Sequence, residues 1–210
     1  MKAKFIYTAL IAVMFLSANV YSQRALELKI GPEAGINIAS FSSTPDFAYT
    51  TRTGLIIGAN FEIGFNKNFS VQPGVRYIMK GAGGSDGAGG TFTTKLNYLD
   101  IPVLLKVNFP LSEVTPYLLA GPVLSINMSA SQDDTPNGGT TTTTDVSAQV
   151  SGSDFGILFG GGVGFAMNKK IDIYAQFGYQ LGLSNILKNN TTTTLKNNGI
   201  QLTAGVMFDI

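Results

Sequence analysis

Apolar and polar residues alternate with a period of two along nearly the whole chain after Gln23. Successive side chains of a strand point to opposite faces, so this period belongs to pleated strands with one apolar side. No stretch after Gln23 carries a sustained helical period. The pattern predicts eight strands. In the first, Leu26, Leu28, Ile30, Ala34, Ile36 and Ile38 alternate with Glu27, Lys29, Gly31, Glu33, Gly35 and Asn37. In the second, Leu55, Ile57, Ala59, Phe61, Ile63 and Phe65 oppose Ile56, Gly58, Asn60, Glu62 and Gly64. The third sets Val71, Val75 and Tyr77 against Gln72, Arg76 and Lys80, and the fourth sets Leu99, Ile101, Val103 and Leu105 against Asp100, Leu104 and Lys106. The fifth extends over 114–128, the sixth over 154–167, the seventh over 171–181 and the eighth over 200–210.

The apolar faces carry no charge, while the opposite faces mix charge, amide, hydroxyl and glycine. A soluble sandwich would turn a Lys- and Glu-rich face to water. Here the glycine-dotted polar face suits a narrow lumen and the apolar face suits lipid. Hydrocarbon tolerates no unpaired strand edge, so the sheet must close on itself. Strands of about ten residues, tilted about 40°, match an apolar belt about 25 Å tall. The fold expected is all-β, an eight-stranded antiparallel up-and-down transmembrane β-barrel.

The connections agree. Short ones, at 66–68, 110–113 and 168–170, alternate with long ones at 40–52, 81–94, 130–152 and 182–198. This is the order of periplasmic turns and extracellular loops, with both termini periplasmic. The long connections are rich in Ser, Thr, Gly, Asn and Asp, and are expected to be disordered, solvated tips. Phe65, Phe69, Phe109, Phe165 and Phe208 all lie beside short turns or the carboxyl end, as an interfacial aromatic belt requires.

Composition narrows the classes. Lys+Arg total 14 against 13 Asp+Glu, a balance that argues against a nucleic-acid partner. Residues 1–22 read as a signal peptide: Lys2 and Lys4, an apolar core from Phe5 to Leu16, then Val20-Tyr21-Ser22 at the cleavage site. That core is shorter than the ~20 residues a spanning helix needs. The expected organisation is a signal peptide at 1–22 and an outer-membrane barrel at 23–210.

Several segments carry a family resemblance: Glu33-Ala34-Gly35-Ile36-Asn37-Ile38, Tyr98-Leu99-Asp100-Ile101-Pro102-Val103-Leu104-Leu105-Lys106, Pro116-Tyr117-Leu118-Leu119-Ala120-Gly121-Pro122 and Asp154-Phe155-Gly156. Together they resemble the Bacteroidota porin family of PorT-type outer-membrane barrels. The resemblance implies the outer membrane of a Gram-negative bacterium and brings no catalytic or binding residues with it.

The chain contains neither Cys nor His. A thiolate metal site and a His-assisted nucleophile are therefore impossible. The runs Gly160-Gly161-Gly162-Val163-Gly164 and 81–90 open no helix and lead into no Lys-Ser/Thr, so they lack a phosphate-cradling scaffold. No catalytic, cofactor or metal residues are expected. The candidate site is a polar network in the lumen: Lys29, Glu33, Glu62, Arg76, Asp100, Lys106, Asp172 and Asp209. Buried charges need partners. Antiparallel registry puts Arg76 opposite Asp100, and Lys29 within reach of Glu62 or Asp209. The function expected is non-enzymatic: envelope integrity, surface binding or assembly of a secretion complex. The alternative is a narrow pore for small solutes or ions, since the same charges could line a path. Expected partners are outer-membrane lipids, the barrel-assembly machinery during insertion and an unidentified envelope protein.

Overall fold

Strands with one apolar face and no helix to cover it bury their backbone by pairing edge to edge. The computed structural model describes residues 26–168, 170–188 and 192–210, so the expected signal peptide at 1–22 lies outside the described residues. Nine strands pair antiparallel: β1 Glu27–Thr44, β2 Thr50–Gly64, β3 Phe69–Ser85, β4 Thr91–Asn108, β5 Val114–Thr135, β6 Thr142–Asp145, β7 Ser153–Asn168, β8 Ile171–Gly182 and β9 Thr194–Asp209. Each of β1, β2, β3, β4, β5, β7, β8 and β9 pairs with two neighbours within this set, and the β1–β9 and β4–β5 pairings leave the ring without an edge. The ring therefore has eight strands, as the periodicity predicts. β6 is an addition outside it, pairing with β5 alone.

The apolar side chains face outward. Ile57, Leu118, Leu105 and Phe177 are all at least half exposed, while Asn60, Arg76 and Asp100 inside are almost fully covered. Phe65, Phe69, Phe109, Phe165 and Phe208 stand exposed on the outer surface.

This arrangement reverses toward the long-loop end. From Phe109, just past β4, back along the strand, the outward residues run Phe109, Val107, Leu105, Val103, Ile101 and Leu99, then change to Asn97 and Lys95. Over the same step the inward residues change from Lys106 and Asp100 to Tyr98 and Leu96, both fully buried. The β1–β9 ladder changes at the same level: Ile38 opposite Ile200 is followed by Ser40 opposite Asn198, while Phe41 turns inward. The β4–β5 ladder carries its register shift there, between Asn97 and Tyr98, where Asn97 pairs with Ser129 and Tyr98 with Asn127. The extra residue on β5, Met128, lets the outward row pass from Met128 to Ser129 while Ala130 turns in.

The long-loop strands are correspondingly longer than the alternation predicts. β1, β3, β4 and β5 continue into the segments 40–44, 81–85, 91–94 and 130–135 that read as loop in the sequence. Their Ser, Thr and Gly content resembles loop because these strands have water outside and small residues within. The connection between β3 and β4 shrinks to 86–90. It is ordered, with the Asp86 carboxylate accepting from the Ala88 and Gly90 amides at 2.8 Å. Gly87 and Gly89 supply the positive φ this tight turn needs, 78° and 90°. In this loop the expectation of a disordered tip gives way to an ordered turn fixed by backbone and side-chain hydrogen bonds, and in two other loops Val150 and Ile186 pack into the interior.

Candidate functional site

The lumen gathers the buried charges of the described residues, and it is filled in levels. At the short-turn end Lys29 Nζ of β1 lies 2.5 Å from Asp172 and 3.5 Å from Asp209. Across the mouth Lys106 donates to Glu62 at 2.8 Å, and the Ser70 hydroxyl donates to the other Glu62 oxygen at 2.7 Å. The Lys106 ammonium also stands 4.1 Å from the centroid of the Tyr117 ring. A cavity of about 220 Å³ opens here beside Lys29, Glu62, Lys106 and Asp172.

The second level is the most deeply buried. The Arg76 guanidinium lies 3.9 Å from Glu33 and 3.8 Å from Asp100, and Lys80 lies 3.1 Å from Asp100. Two cations and two carboxylates make this cluster formally neutral. Lys80 also donates to the Ser125 hydroxyl at 2.9 Å. Asn60 donates to the Tyr174 hydroxyl at 2.8 Å, and that hydroxyl faces Glu33 at 3.4 Å. Tyr174 and Tyr117 reach inward because glycine lies under each ring: a Cβ on Gly205 or Gly162 would come within 2.6 or 2.5 Å of the respective hydroxyls.

Above this level the charge thins out. Asp154 is buried and accepts from neutral donors, Ser184 at 2.5 Å and Asn197 at 2.9 Å. Gln201 donates to Gln180 at 2.7 Å. The long-loop end is then closed by apolar packing: Phe41, Ile56, Ile78, Ala82, Leu96, Tyr98 and Ala130 from the strands meet Val150 and Ile186 from the loops.

The eight residues singled out by alternation thus fall into three groups: Lys29 with Asp172 and Asp209, Glu62 with Lys106, and Arg76 between Glu33 and Asp100. Lys29 is opposite both Glu62 and Asp209 in the ladders. Its closest acid is nevertheless Asp172, while Glu62 turns to Lys106. Lys80 and Asp154 were not among the candidates, although Lys80 shares inward parity with Arg76 on β3 and Asp154 shares it with Gly156 on β7. The apolar closure was missed as well. Its signal is the break in alternation at Leu55-Ile56-Ile57 and Tyr77-Ile78-Met79, where an apolar residue occupies an inward position.

Comparison with known proteins follows this geometry. The family described as "Outer membrane protein beta-barrel domain" matches residues 18–188. Among curated proteins none matches the chain. Among solved structures, the outer membrane protein OprG from Pseudomonas aeruginosa superposes with a TM-score of 0.60 at 11% identity, covering 90% of this chain and 98% of that one. Neisserial surface protein A superposes with a TM-score of 0.51 at 21% identity, covering 89% of this chain and all of the other. At these identities the likeness concerns the fold.

Proposed function

The chain belongs to the outer membrane protein beta-barrel domain family, and from that premise we propose that it is a non-enzymatic, closed barrel. In this reading it serves the envelope by its rigidity and by what its long-loop end contacts. The termini and short turns lie in the periplasm and the long loops outside the cell. Outer-membrane lipids surround the belt, and the barrel-assembly machinery inserts it. The segments that resemble PorT-type barrels support placing it near that group, and the roles open to such a scaffold are envelope integrity, surface binding or assembly of a secretion complex.

One observation carries the proposal: the lumen is occupied along its length, by paired charges and then by apolar packing. A barrel of eight strands has an interior that side chains just fill. The absence of His and Cys from the sequence supports the non-enzymatic reading. A narrow pore is the second reading, favoured by the cavity at the short-turn mouth and by Arg76 standing nearly equidistant from two carboxylates. Single-channel recording in planar bilayers separates the two. We expect no discrete steps from the wild-type protein. Steps that Arg76→Ala or Asp100→Ala abolishes would overturn the closed scaffold in favour of the pore.

A further inference from the structure

The ring has no edge, yet the sheet as a whole does. β6, Thr142–Asp145, hydrogen-bonds to β5 on one side and, among the described residues, pairs with no strand on the other. All four of its side chains are exposed. Exposed edges are usually blunted by proline, lysine or a bulge, and the run Thr140-Thr141-Thr142-Thr143-Thr144 contains none of these. Threonine is instead a strong strand former.

The direction of each peptide group follows from one bond. The Val146 amide donates to the Ala130 carbonyl at 3.0 Å. Asp145 stands opposite Ser131, so Val146 and Ala130 form a bonded pair of the same ladder. Bonded and non-bonded pairs alternate along antiparallel strands. Thr144 and Thr142 therefore direct their backbone groups to β5, and Thr143 and Asp145 direct theirs to the open side.

The surroundings of this edge are acidic. Asp133 and Asp134 lie on β5, Asp145 ends β6, and Asp86 belongs to the loop whose Gly89 abuts Asn137 of the β5–β6 turn. The cations facing them are Lys95, paired with Asp133, and Arg52. Hydrogen bonds from Lys95 and the Thr143 hydroxyl hold the Asp133 carboxyl below its ordinary value, and the Ser147 amide does the same for Asp145.

We propose that the free edge of β6 is a strand-addition site, at which an extended, lysine-bearing segment of another polypeptide pairs with the backbone of Thr143 and Asp145 while its cations, all on one face, meet Asp133 and Asp145. Main-chain bonds at an exposed edge supply affinity, and alternate side chains supply selectivity. The proposal gives a partner chemistry to the interaction role above. It is separable from the closed-lumen reading, because the edge lies outside the ring and bilayer recording does not report on it.

Thr143 provides the discriminating variant. Proline there removes the N–H that faces the open side and leaves the β5 ladder intact, as an edge strand allows. Thr143→Val keeps the N–H and removes only the hydroxyl. The probe is a fluorescent, end-capped peptide of about eight alternating Lys and Val residues, titrated by anisotropy into the full-length barrel in detergent. We expect saturable binding to the wild type and loss of about tenfold in affinity for Thr143→Pro, the scale of one to two net hydrogen bonds. Thr143→Val stays near wild type, and a Glu-Val peptide binds about tenfold more weakly than the Lys-Val peptide. Continued hydrogen-exchange protection of the Thr144 amide shows that β6 remains paired in the proline variant. Absent binding to the wild type, equal binding to Thr143→Pro, or equal binding of the Glu-Val peptide each overturns the proposal. So does a dimer that Thr143→Pro dissociates, since a second copy would then be the occupant.

Discussion

The two ends of this barrel are filled by opposite chemistry although the same strands form both. Near the short turns, β3 and β4 point Ser70, Arg76, Asp100 and Lys106 inward and Val71, Val75, Val103 and Leu105 outward. A few residues later they point Ile78, Ala82, Leu96 and Tyr98 inward and Asn97 and Lys95 outward. The solvent outside the wall explains the difference. Where hydrocarbon bathes the wall, apolar side chains gain nothing by turning in, and the lumen is left to polar groups that must satisfy one another. Where water bathes the wall, the ordinary hydrophobic effect operates and the interior becomes a core. The level at which Asn97, Ser40 and Asn198 replace Leu99, Ile38 and Ile200 thus marks the boundary of the lipid belt.

The contrast is most severely tested at Arg76. Removing this cation leaves Glu33 and Asp100 buried with Lys80 as the remaining cation beside them among the described residues, a change that costs about 3–5 kcal/mol. Arg76→Met should lower unfolding stability in lipid vesicles by that amount, measured by urea titration. Adding Glu33→Gln should recover part of the loss, since the two sites share one network. A loss below ~1 kcal/mol for Arg76→Met would mean that water, not the ion pairs, fills this level.

Leu96→Ala comes next. It opens a cavity in the long-loop core and should cost about 2–5 kcal/mol. Ile57→Ala, equally apolar but on the belt, should cost only a fraction of that, because lipid tails refill the space. Equal losses at the two positions would show that the long-loop end is not a core of the soluble kind.

The smallest of these effects bears most directly on the boundary. Lysine at Leu105, midway down the β4 belt, should destabilise by about 2–4 kcal/mol, whereas Asn97→Lys should fall within about 1 kcal/mol. The comparison uses refolding yield and urea unfolding into vesicles. Two losses of the same size would shift the boundary away from the Asn97–Leu99 step.

Period-two alternation was enough to read the ring, its short turns and its inward charges other than Lys80 and Asp154, because lipid and lumen impose opposite demands on neighbouring residues. The same rule concealed the long-loop end. Residues such as Gly81-Ala82-Gly83-Gly84 and Ser129-Ala130-Ser131 look like loop by composition, and the reversal of polarity erases the pattern that marks a strand. β6 was invisible for a related reason, since a threonine run has no apolar face to alternate with. In the lumen, parity showed which charges face inward but not how they divide. Lys29 had acids opposite it on two strands and approaches Asp172 on a third more closely, a choice that depends on distances across the barrel rather than along a ladder.

The β1–β9 ladder has a kinetic meaning. It joins the first and last strands over a register running from Lys29 opposite Asp209 to Thr44 opposite Thr194. Those partners are separated by most of the polypeptide, and contacts so remote in sequence form slowly. Until they form, β1 and β9 each expose a raw row of peptide groups that hydrocarbon cannot accommodate. The wall cannot therefore grow into the bilayer one hairpin at a time and remain open: zipping of the final seam must coincide with insertion or wait under protection until the last strand has emerged.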